Sequence, residues 1–325
     1  MKIRVGVIGL GFMGSAHARV YSGLDECELV ALCEKDPSRA ALAKVYNCDS
    51  YVDLERFLRI DLDAVSICTP TSTHKDIVLR ALEAGKHVLV EKPLARNMKE
   101  GVNMIDKSTR SGCLLVTGYL ERFNPAVQEL KRTVDLSLLH SAVAFRYGPM
   151  PPAAIDSGVL LDLATHEIDV LNYLMEMHPK VLYSYLSNNG KAGEFEDYAF
   201  FSMAYGGLHS HVEASWLPSY KIRNLFLHGP DAFYMVDYAQ QTLKVSRAPP
   251  RAKIHSGSWK DILRLSRNEQ EEIPLRMAEP LELELRRFVE SVRKGKVLRP
   301  LCTGQEGLEV LDVVEKIVCN TNSVG

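Results

Sequence analysis

Residues 3–14 read Ile3-Arg4-Val5-Gly6-Val7-Ile8-Gly9-Leu10-Gly11-Phe12-Met13-Gly14. An apolar strand that runs directly into G-x-G-x-x-G and then into a helix is the context in which this glycine pattern indicates a dinucleotide site. Glycines allow backbone amides and the helix N-terminus to approach a pyrophosphate closely. The stretch therefore predicts a phosphate-binding turn made of Gly9, Gly11, Phe12, Met13 and Gly14.

The second predicted strand supports the same site, because it ends in an acid. Glu34 lies twenty residues after Gly14, where a carboxylate accepts hydrogen bonds from the adenosine ribose hydroxyls of NAD. An acid at this place favours NAD, since it would repel the 2′-phosphate of NADP. The neighbouring cations Lys35 and Arg39 reduce that repulsion, so NADP stays open as an alternative.

The first part of the chain alternates strand and helix signals, which is typical of an α/β fold with a doubly wound parallel sheet. The predicted strands are rich in Val, Ile, Leu and Cys, as expected where helices cover both faces of a sheet. They span residues 3–8, 29–33, 64–68, 87–90 and 114–117. We predict an NAD-binding Rossmann domain over residues 1–120.

The remaining residues, 121–325, carry many segments in which apolar and polar residues alternate. The predicted strands here span residues 140–147, 181–186, 198–205, 208–216, 224–228, 233–238 and 242–245. They predict a second domain of the α+β class, with a large, mostly antiparallel sheet, as the substrate-binding domain. A helix over residues 162–174 is predicted to face the first domain, and the basic stretch 247–268 is predicted to be an exposed loop.

Composition excludes several classes of function. The chain is 46% hydrophobic and 25% charged with a net charge of −2, which gives no electrostatic case for nucleic acid or an anionic membrane as a partner. The start of the chain lacks a signal-peptide core, so a cytoplasmic protein is expected. The seven cysteines are odd in number and nowhere spaced Cys-x-x-Cys, which argues against a disulfide framework or a structural zinc site.

Polar residues also follow two later predicted strands, at the sheet edge where α/β proteins bind ligands. Thr69-Pro70-Thr71-Ser72-Thr73-His74 follows one strand, and Glu91-Lys92-Pro93 follows the next. Turn chemistry and a solvated lysine are the plain alternatives. With the glycine turn upstream, we predict that the cofactor contacts Thr69, Pro70, His74, Glu91 and Lys92, with His74 towards the nicotinamide.

Asp162 and His166 are four residues apart in a predicted helix, which puts both on one face. Oxidation of a secondary alcohol needs a base and a group that stabilises the developing alkoxide. We assign His166 as the acid/base, Lys92 as the stabilising cation and Asp162 as the residue that orients His166. A desolvated Lys92 as the base stays open. No metal is predicted, because no cysteine or second histidine lies nearby at ligand spacing.

These motifs together resemble the glucose-fructose oxidoreductase, inositol dehydrogenase and MocA (Gfo/Idh/MocA) family, over essentially the whole chain. The resemblance implies a Rossmann domain followed by an α+β domain whose open sheet commonly forms oligomer interfaces. It also implies that Lys92 and His166 are the catalytic pair. A homodimer or homotetramer formed through the C-terminal sheet is the expected assembly.

Residues 118–127, 146–152 and 156–169 are similar to family members that act as UDP-N-acetylglucosamine 3-dehydrogenases. This implies oxidation of the sugar's 3-hydroxyl, and a diphosphate requires cations. The candidate cations in the second domain are Arg122, Arg146, Lys221 and Arg223. The predicted substrate contacts are Lys92, Tyr119, Arg122, Asn124, Arg146, Asp162 and His166.

Two alternatives remain at this stage. The substrate is a free sugar or a cyclitol instead of a nucleotide sugar, or the chain is a dinucleotide-sensing regulator that has lost its chemistry. The joint presence of Lys92, Asp162 and His166 argues against the regulator.

Overall fold

A computed structural model describes residues 2–151, 156–247 and 270–321 of the chain. The strands are β1 (Ile3–Ile8), β2 (Cys27–Cys33), β3 (Asp49–Tyr51), β4 (Ala64–Ile67), β5 (His87–Glu91), β6 (Leu115–Gly118), β7 (Ser141–Tyr147), β8 (Lys180–Ser187), β9 (Tyr198–Tyr205), β10 (Leu208–Ser215), β11 (Ile222–His228), β12 (Ala232–Asp237), β13 (Thr242–Arg247), β14 (Gln270–Ile273) and β15 (Cys302–Thr303). The α-helices are α1 (Phe12–Gly23), α2 (Pro37–Ala40), α3 (Leu42–Val45), α4 (Leu54–Leu58), α5 (Thr71–Glu83), α6 (Met98–Ser111), α7 (Pro125–Thr133), α8 (Thr165–Met175), α9 (Pro280–Lys294) and α10 (Gly304–Asn320). A π-helical turn at Leu160–Ala164 leads directly into α8.

The first sheet has the strand order β15-β6-β5-β4-β1-β2-β3. Strands β1 to β6 pair in parallel, and β1 lies between β2 and β4, so the strand order reverses beside β1. Ligands of such sheets bind at this reversal point, outside the carboxyl ends of the strands. The predicted doubly wound parallel sheet is confirmed, and the ends of its predicted strands differ from the observed ones by at most two residues.

The second sheet has the order β14-β13-β12-β11-β7-β10-β9-β8 and is antiparallel except where β7 pairs with β10. Its inner face packs on α7, α8 and α10 in one hydrophobic core. The opposite face carries His209 and His211, which are both exposed. The α+β class is confirmed, whereas oligomerisation through this sheet stays a prediction. The predicted basic loop lies outside the described residues except for its first residue, which ends β13.

The last part of the chain returns to the Rossmann domain. Strand β15 pairs antiparallel with β6 at the edge of the first sheet. Leu285, Phe288 and Val289 of α9 share a core with Val5 and Tyr21. Helix α10 packs on α6, where a Cβ on Gly101 would lie 2.7 Å from Leu308. The domain boundary at residue 120 stays a prediction. Residues 280–303, although late in the chain, pack on the first sheet and belong to the fold of the Rossmann domain.

The seven cysteines are all free, and four of them are buried core residues. In the parts of the chain that the structure describes, no helix is both long and apolar enough to cross a membrane.

Candidate active site

The glycine turn between β1 and α1 is shaped for close backbone approach. Gly9 has a φ of +84°, and a Cβ on it would lie 2.7 Å from Thr69 Cγ2. A Cβ on Gly14 would lie 1.7 Å from the carbonyl oxygen of Gly9, so only glycine fits there. Gly11 faces open space and precedes α1 without a side-chain cap. The amides at the start of this helix are therefore free for an anion such as a pyrophosphate.

Glu34 lies beside this turn. Its Oε2 accepts a hydrogen bond from the Leu10 amide at 2.6 Å, and its Oε1 accepts one from the Asp36 amide at 3.0 Å. The carboxylate is thus fixed next to the glycine turn, with lone pairs left for a ribose hydroxyl. These residues fit NAD at the end of β2, as the sequence predicts.

A cleft of about 1020 Å³ runs from the glycine turn along the carboxyl ends of the strands. A dinucleotide fits a space of this size. The cleft brings together most of the predicted cofactor residues with two of the predicted catalytic residues, Lys92 and Asp162, whereas His166 does not line it. Its lining includes Gly9, Gly11, Phe12, Met13, Glu34, Lys35, Thr69, Pro70, Glu91, Lys92 and Asp162.

Lys92 and Asp162 form an ion pair at one end of this cleft. Lys92 Nζ donates to Asp162 Oδ1 at 2.7 Å and to the Asp162 backbone oxygen at 2.6 Å. Burial raises the pKa of the Asp162 carboxyl, but the charge and hydrogen bond of Lys92, with the charges of Arg146 and Arg223, together leave that pKa below its ordinary value. A lysine has three N–H donors, so one donor of Lys92 remains for a ligand.

His166 lies nearby in α8 and is 8% exposed. Burial lowers its pKa well below the ordinary value, and the positive charges of Arg146, Lys92 and Arg223 lower it further. The imidazole is therefore neutral at pH 7 and able to accept a proton. Its Nδ1 is buried with no hydrogen-bond partner among the described residues.

The structure corrects the predicted role of Asp162. Its carboxylate binds Lys92, and no hydrogen bond joins it to His166 in the described residues. Asp162 lies in the π-helical turn, whereas His166 lies in the following α-helix. Asp162 therefore positions the lysine and not the imidazole.

His74 does not reach the nicotinamide side of the cleft. It is 1% exposed, and its two ring nitrogens lie 3.0 Å from the Pro93 oxygen and 2.9 Å from the Thr69 oxygen. Both nitrogens are engaged by backbone carbonyls. His74 therefore ties the loop after β4 to the loop after β5, and its predicted contact with the cofactor is contradicted. Glu91 still borders the cleft, but its Oε1 lies 2.9 Å from Nε2 of His17 in α1.

Two arginines that the sequence assigns to the substrate are instead buried in ion pairs. Arg122 is 1% exposed and binds both carboxylate oxygens of Asp169, at 2.7 to 3.1 Å. Arg146 is 2% exposed and donates to Glu121 at 2.8 Å and to Glu167 at 2.7 Å. The chain itself neutralises both guanidinium groups, so the predicted contacts with a diphosphate are contradicted.

Asn124 and Tyr119 are also enclosed. Asn124 accepts from the Ala126 amide as the cap of α7 and donates to the Tyr238 oxygen at 2.9 Å. The Tyr119 ring meets the His166 ring edge-on, with centroids 6.2 Å apart. Both residues are 1% exposed and neither lines the cleft.

Sequence reasoning missed two buried residues below the cleft. His17, in α1, forms the hydrogen bond to Glu91, and Glu284, in α9, is 1% exposed with neither carboxyl oxygen hydrogen-bonded within the described residues. His17 lies three residues after Gly14, on the helix that the motif predicts, but nothing in the sequence identifies its partner. Glu284 lies among the apolar residues that α9 buries. An acid at such a position is the one sequence feature that could have identified it.

Comparison with known proteins identifies the same two kinds of domain. Residues 3–119 match the oxidoreductase family with an NAD-binding Rossmann fold, and residues 136–234 match the Gfo/Idh/MocA C-terminal domain. Inositol 2-dehydrogenase 4 of Saccharopolyspora erythraea is 34% identical over 183 residues, 54% of each chain. UDP-N-acetylglucosamine 3-dehydrogenase of Acidithiobacillus ferrooxidans is 32% identical over 180 residues, 55% of this chain and 56% of that one. Each of these matches spans about half the length of the relative.

Solved structures extend the likeness to the whole chain. The Acidithiobacillus ferrooxidans UDP-N-acetylglucosamine 3-dehydrogenase superposes with a TM-score of 0.86 at 25% identity, covering 99% of this chain and 98% of that one. Levoglucosan dehydrogenase in complex with NADH superposes with a TM-score of 0.83 at 20% identity, covering 98% and 97%, and shows the same fold. The two matched domains cover more than half of the sequence, and the protein therefore belongs to the Gfo/Idh/MocA family of oxidoreductases, with an NAD-binding Rossmann domain.

Proposed function

We propose that the protein oxidises a ring hydroxyl of a nucleotide sugar with NAD, and that UDP-N-acetylglucosamine is converted to its 3-keto form. The observation that carries the oxidation is the Lys92–Asp162 ion pair at the end of the dinucleotide cleft. The likeness to the UDP-N-acetylglucosamine 3-dehydrogenase in both sequence and overall structure supports the choice of sugar.

The residues divide the chemistry between them. NAD, when bound, accepts the hydride from the carbinol carbon. Lys92 donates a hydrogen bond from Nζ to the substrate oxygen and stabilises the negative charge that develops there. Neutral His166 takes the hydroxyl proton, and Asp162 holds the lysine ammonium in place. In the alternative allocation a neutral Lys92 is the base that takes the hydroxyl proton, and the products are the same.

A second candidate is the oxidation of a free cyclitol or sugar. It is favoured by the equal likeness to inositol dehydrogenases, including scyllo-inositol 2-dehydrogenase (NAD(+)) of Bacillus subtilis, which is 28% identical across 96% of this chain and 92% of that one. The Lys92 and His166 assignments are the same for both candidates.

The test is the formation of reduced nicotinamide, followed by its absorbance, with a panel of candidate substrates. The panel contains UDP-N-acetylglucosamine, UDP-glucose, myo-inositol, scyllo-inositol and free glucose, each with NAD and with NADP. We expect the highest kcat/KM for UDP-N-acetylglucosamine with NAD. A higher value for a cyclitol would select the second candidate, and tight NAD binding without oxidation of any member would contradict both.

A further inference from the structure

Arg223 lies directly opposite Arg146 in the second sheet. Strand β11 pairs antiparallel with β7, and these two residues are partners in the register. The buried neighbours Leu225 on β11 and Ala144 on β7 place both arginine side chains on the inner face of the sheet. Arg146 is deeper, and Arg223 is half-buried at the end of the strand.

The two guanidinium groups differ in their counterions. Arg146 has a carboxylate on each side, Glu121 at 2.8 Å and Glu167 at 2.7 Å. Arg223 has no carboxylate oxygen within 4.0 Å among the residues that the structure describes. Like charges directly opposite each other in a sheet are destabilising. Two carboxylates thus balance the two cations, but both contact Arg146, and the donors of Arg223 have no carboxylate partner of their own among the described residues.

Arg223 is also linked to the helix that carries His166, because its register partner Arg146 contacts Glu167, the next residue after His166. Its charge contributes to lowering the pKa values of both Asp162 and His166. Asp162 is already engaged by Lys92 at 2.7 Å, so it is not free to neutralise the arginine. Burial lowers the pKa of Arg223, and the neighbouring Arg146 lowers it further, yet a guanidinium stays charged in proteins. A bound oxyanion would give the N–H donors of Arg223 the direct partner that Arg146 already has in Glu121 and Glu167.

We propose that Arg223 binds a negatively charged oxygen group of the sugar substrate, either a carboxylate or a phosphate, and so selects anionic sugars over neutral ones. Its planar fork of N–H donors suits two parallel hydrogen bonds to either group. The proposal rests on the proposed function only in that the substrate is a sugar oxidised at Lys92. Arg223 acts in specificity and not in the chemical step.

The experiment compares Arg223→Gln and Arg223→Lys with the wild-type enzyme in the presence of saturating NAD. The substrates are UDP-N-acetylglucosamine as the phosphate source, D-glucuronate as the carboxylate source and myo-inositol as the neutral reference. For whichever anionic sugar the wild-type enzyme oxidises, Arg223→Gln should raise KM about 10- to 100-fold, as expected for the loss of a charge-assisted hydrogen bond. The value of kcat should stay within a few-fold, Arg223→Lys should recover part of the loss, and KM for myo-inositol should not change.

Lys180→Gln is the matched control, because it removes one positive charge from an exposed residue at the start of β8. Thermal unfolding checks the fold of the variants. Arg223→Gln should change Tm little, because Arg223 contacts no carboxylate directly among the described residues and the charges of Arg146 and its two glutamates oppose each other. An equal change in KM for neutral and anionic substrates, or no change at all, would overturn the proposal.

Binding without turnover separates this proposal from the proposed function. UDP and D-glucuronate are titrated into the NAD-loaded enzyme by calorimetry. If no sugar is oxidised but one of these anions binds with an affinity that falls in Arg223→Gln, the proposed function fails and the role of Arg223 stands. If UDP-N-acetylglucosamine is oxidised with the same KM in Arg223→Gln, the proposed function stands and the role of Arg223 fails.

Discussion

Two groups of charged side chains differ in how completely the chain neutralises them. In the core of the second domain, Arg122 and Arg146 are almost fully buried and each contacts two carboxylates. Lys92, which lines the cleft, has one carboxylate partner, and Arg223, on the inner face of the second sheet, has none among the described residues. Charged groups that the protein pairs internally contribute to its structure, whereas charged groups that it leaves partly unpaired are candidates for binding a ligand.

The largest expected effect tests the structural half of this comparison. Arg146→Met leaves Glu121 and Glu167 buried without their cation, and breaking a buried ion pair in this way costs roughly 3–5 kcal/mol. We expect the free energy of unfolding, measured with denaturant, to fall by about that amount. The control is Arg132→Met, which removes an exposed pair with Glu129 and should cost no more than about 1 kcal/mol. Equal losses in the two variants would show that Arg146 is not structurally special.

The next effect tests the cleft half. Lys92→Met should lower kcat by roughly 10²- to 10⁴-fold, because the developing alkoxide loses its stabilising cation. The affinity for NAD, measured by fluorescence titration, should change by no more than a few-fold. Lys99→Met, at an exposed position on α6, is the control for loss of a lysine. Near-normal turnover in Lys92→Met would remove the lysine from the mechanism.

The last effect appears only as the pH changes and concerns Glu284, which is buried and has no hydrogen-bond partner among the described residues. Burial raises its pKa well above the ordinary value of 4.5, and Glu91 and Asp169 raise it further. Above pH 4.5 the unfolded chain releases this proton while the folded protein retains it, so stability falls as the pH rises towards the folded-state pKa. The slope is about 1.4 kcal/mol per pH unit in that window.

Glu284→Gln removes that slope while keeping the shape of the side chain. The difference in unfolding free energy between variant and wild type, measured from about pH 5 to about pH 8, should grow in favour of the variant. A difference that stays constant with pH would mean that Glu284 is ionised in the folded protein.

The sequence predicts the Rossmann half of the site well because its signals are local. The glycine turn, Glu34 and Lys92 each follow a strand whose apolar run is visible in the sequence, and parallel strands end at one edge. The partners of Arg122 and Arg146 are not visible in this way. Glu121 is the neighbour of Arg122 in the chain, yet it binds Arg146. Arg122 instead binds Asp169, which lies 47 residues later in the sequence. Only the packing of strands and helices decides which carboxylate pairs with which arginine.

The short strands were missed for a related reason. Strand β15 has two residues and β3 has three, too few for an alternation pattern to be detected. Asp162 illustrates the limit for side-chain contacts. Its spacing from His166 correctly places both near the site, but a partner from another domain, Lys92, takes its carboxylate.

The return of the chain to its first domain has a practical consequence for engineering. A fragment that stops at residue 120 would leave the edge of β6 unpaired and would uncover the apolar surface of β1 and α1 that Leu285, Phe288 and Val289 protect. Exposed strand edges and apolar patches promote aggregation. A graft of this NAD-binding domain into another protein therefore has to carry residues 280–303 and helix α10, which packs on α6. Exchanging the second sheet of this protein means replacing an internal segment and not a C-terminal half.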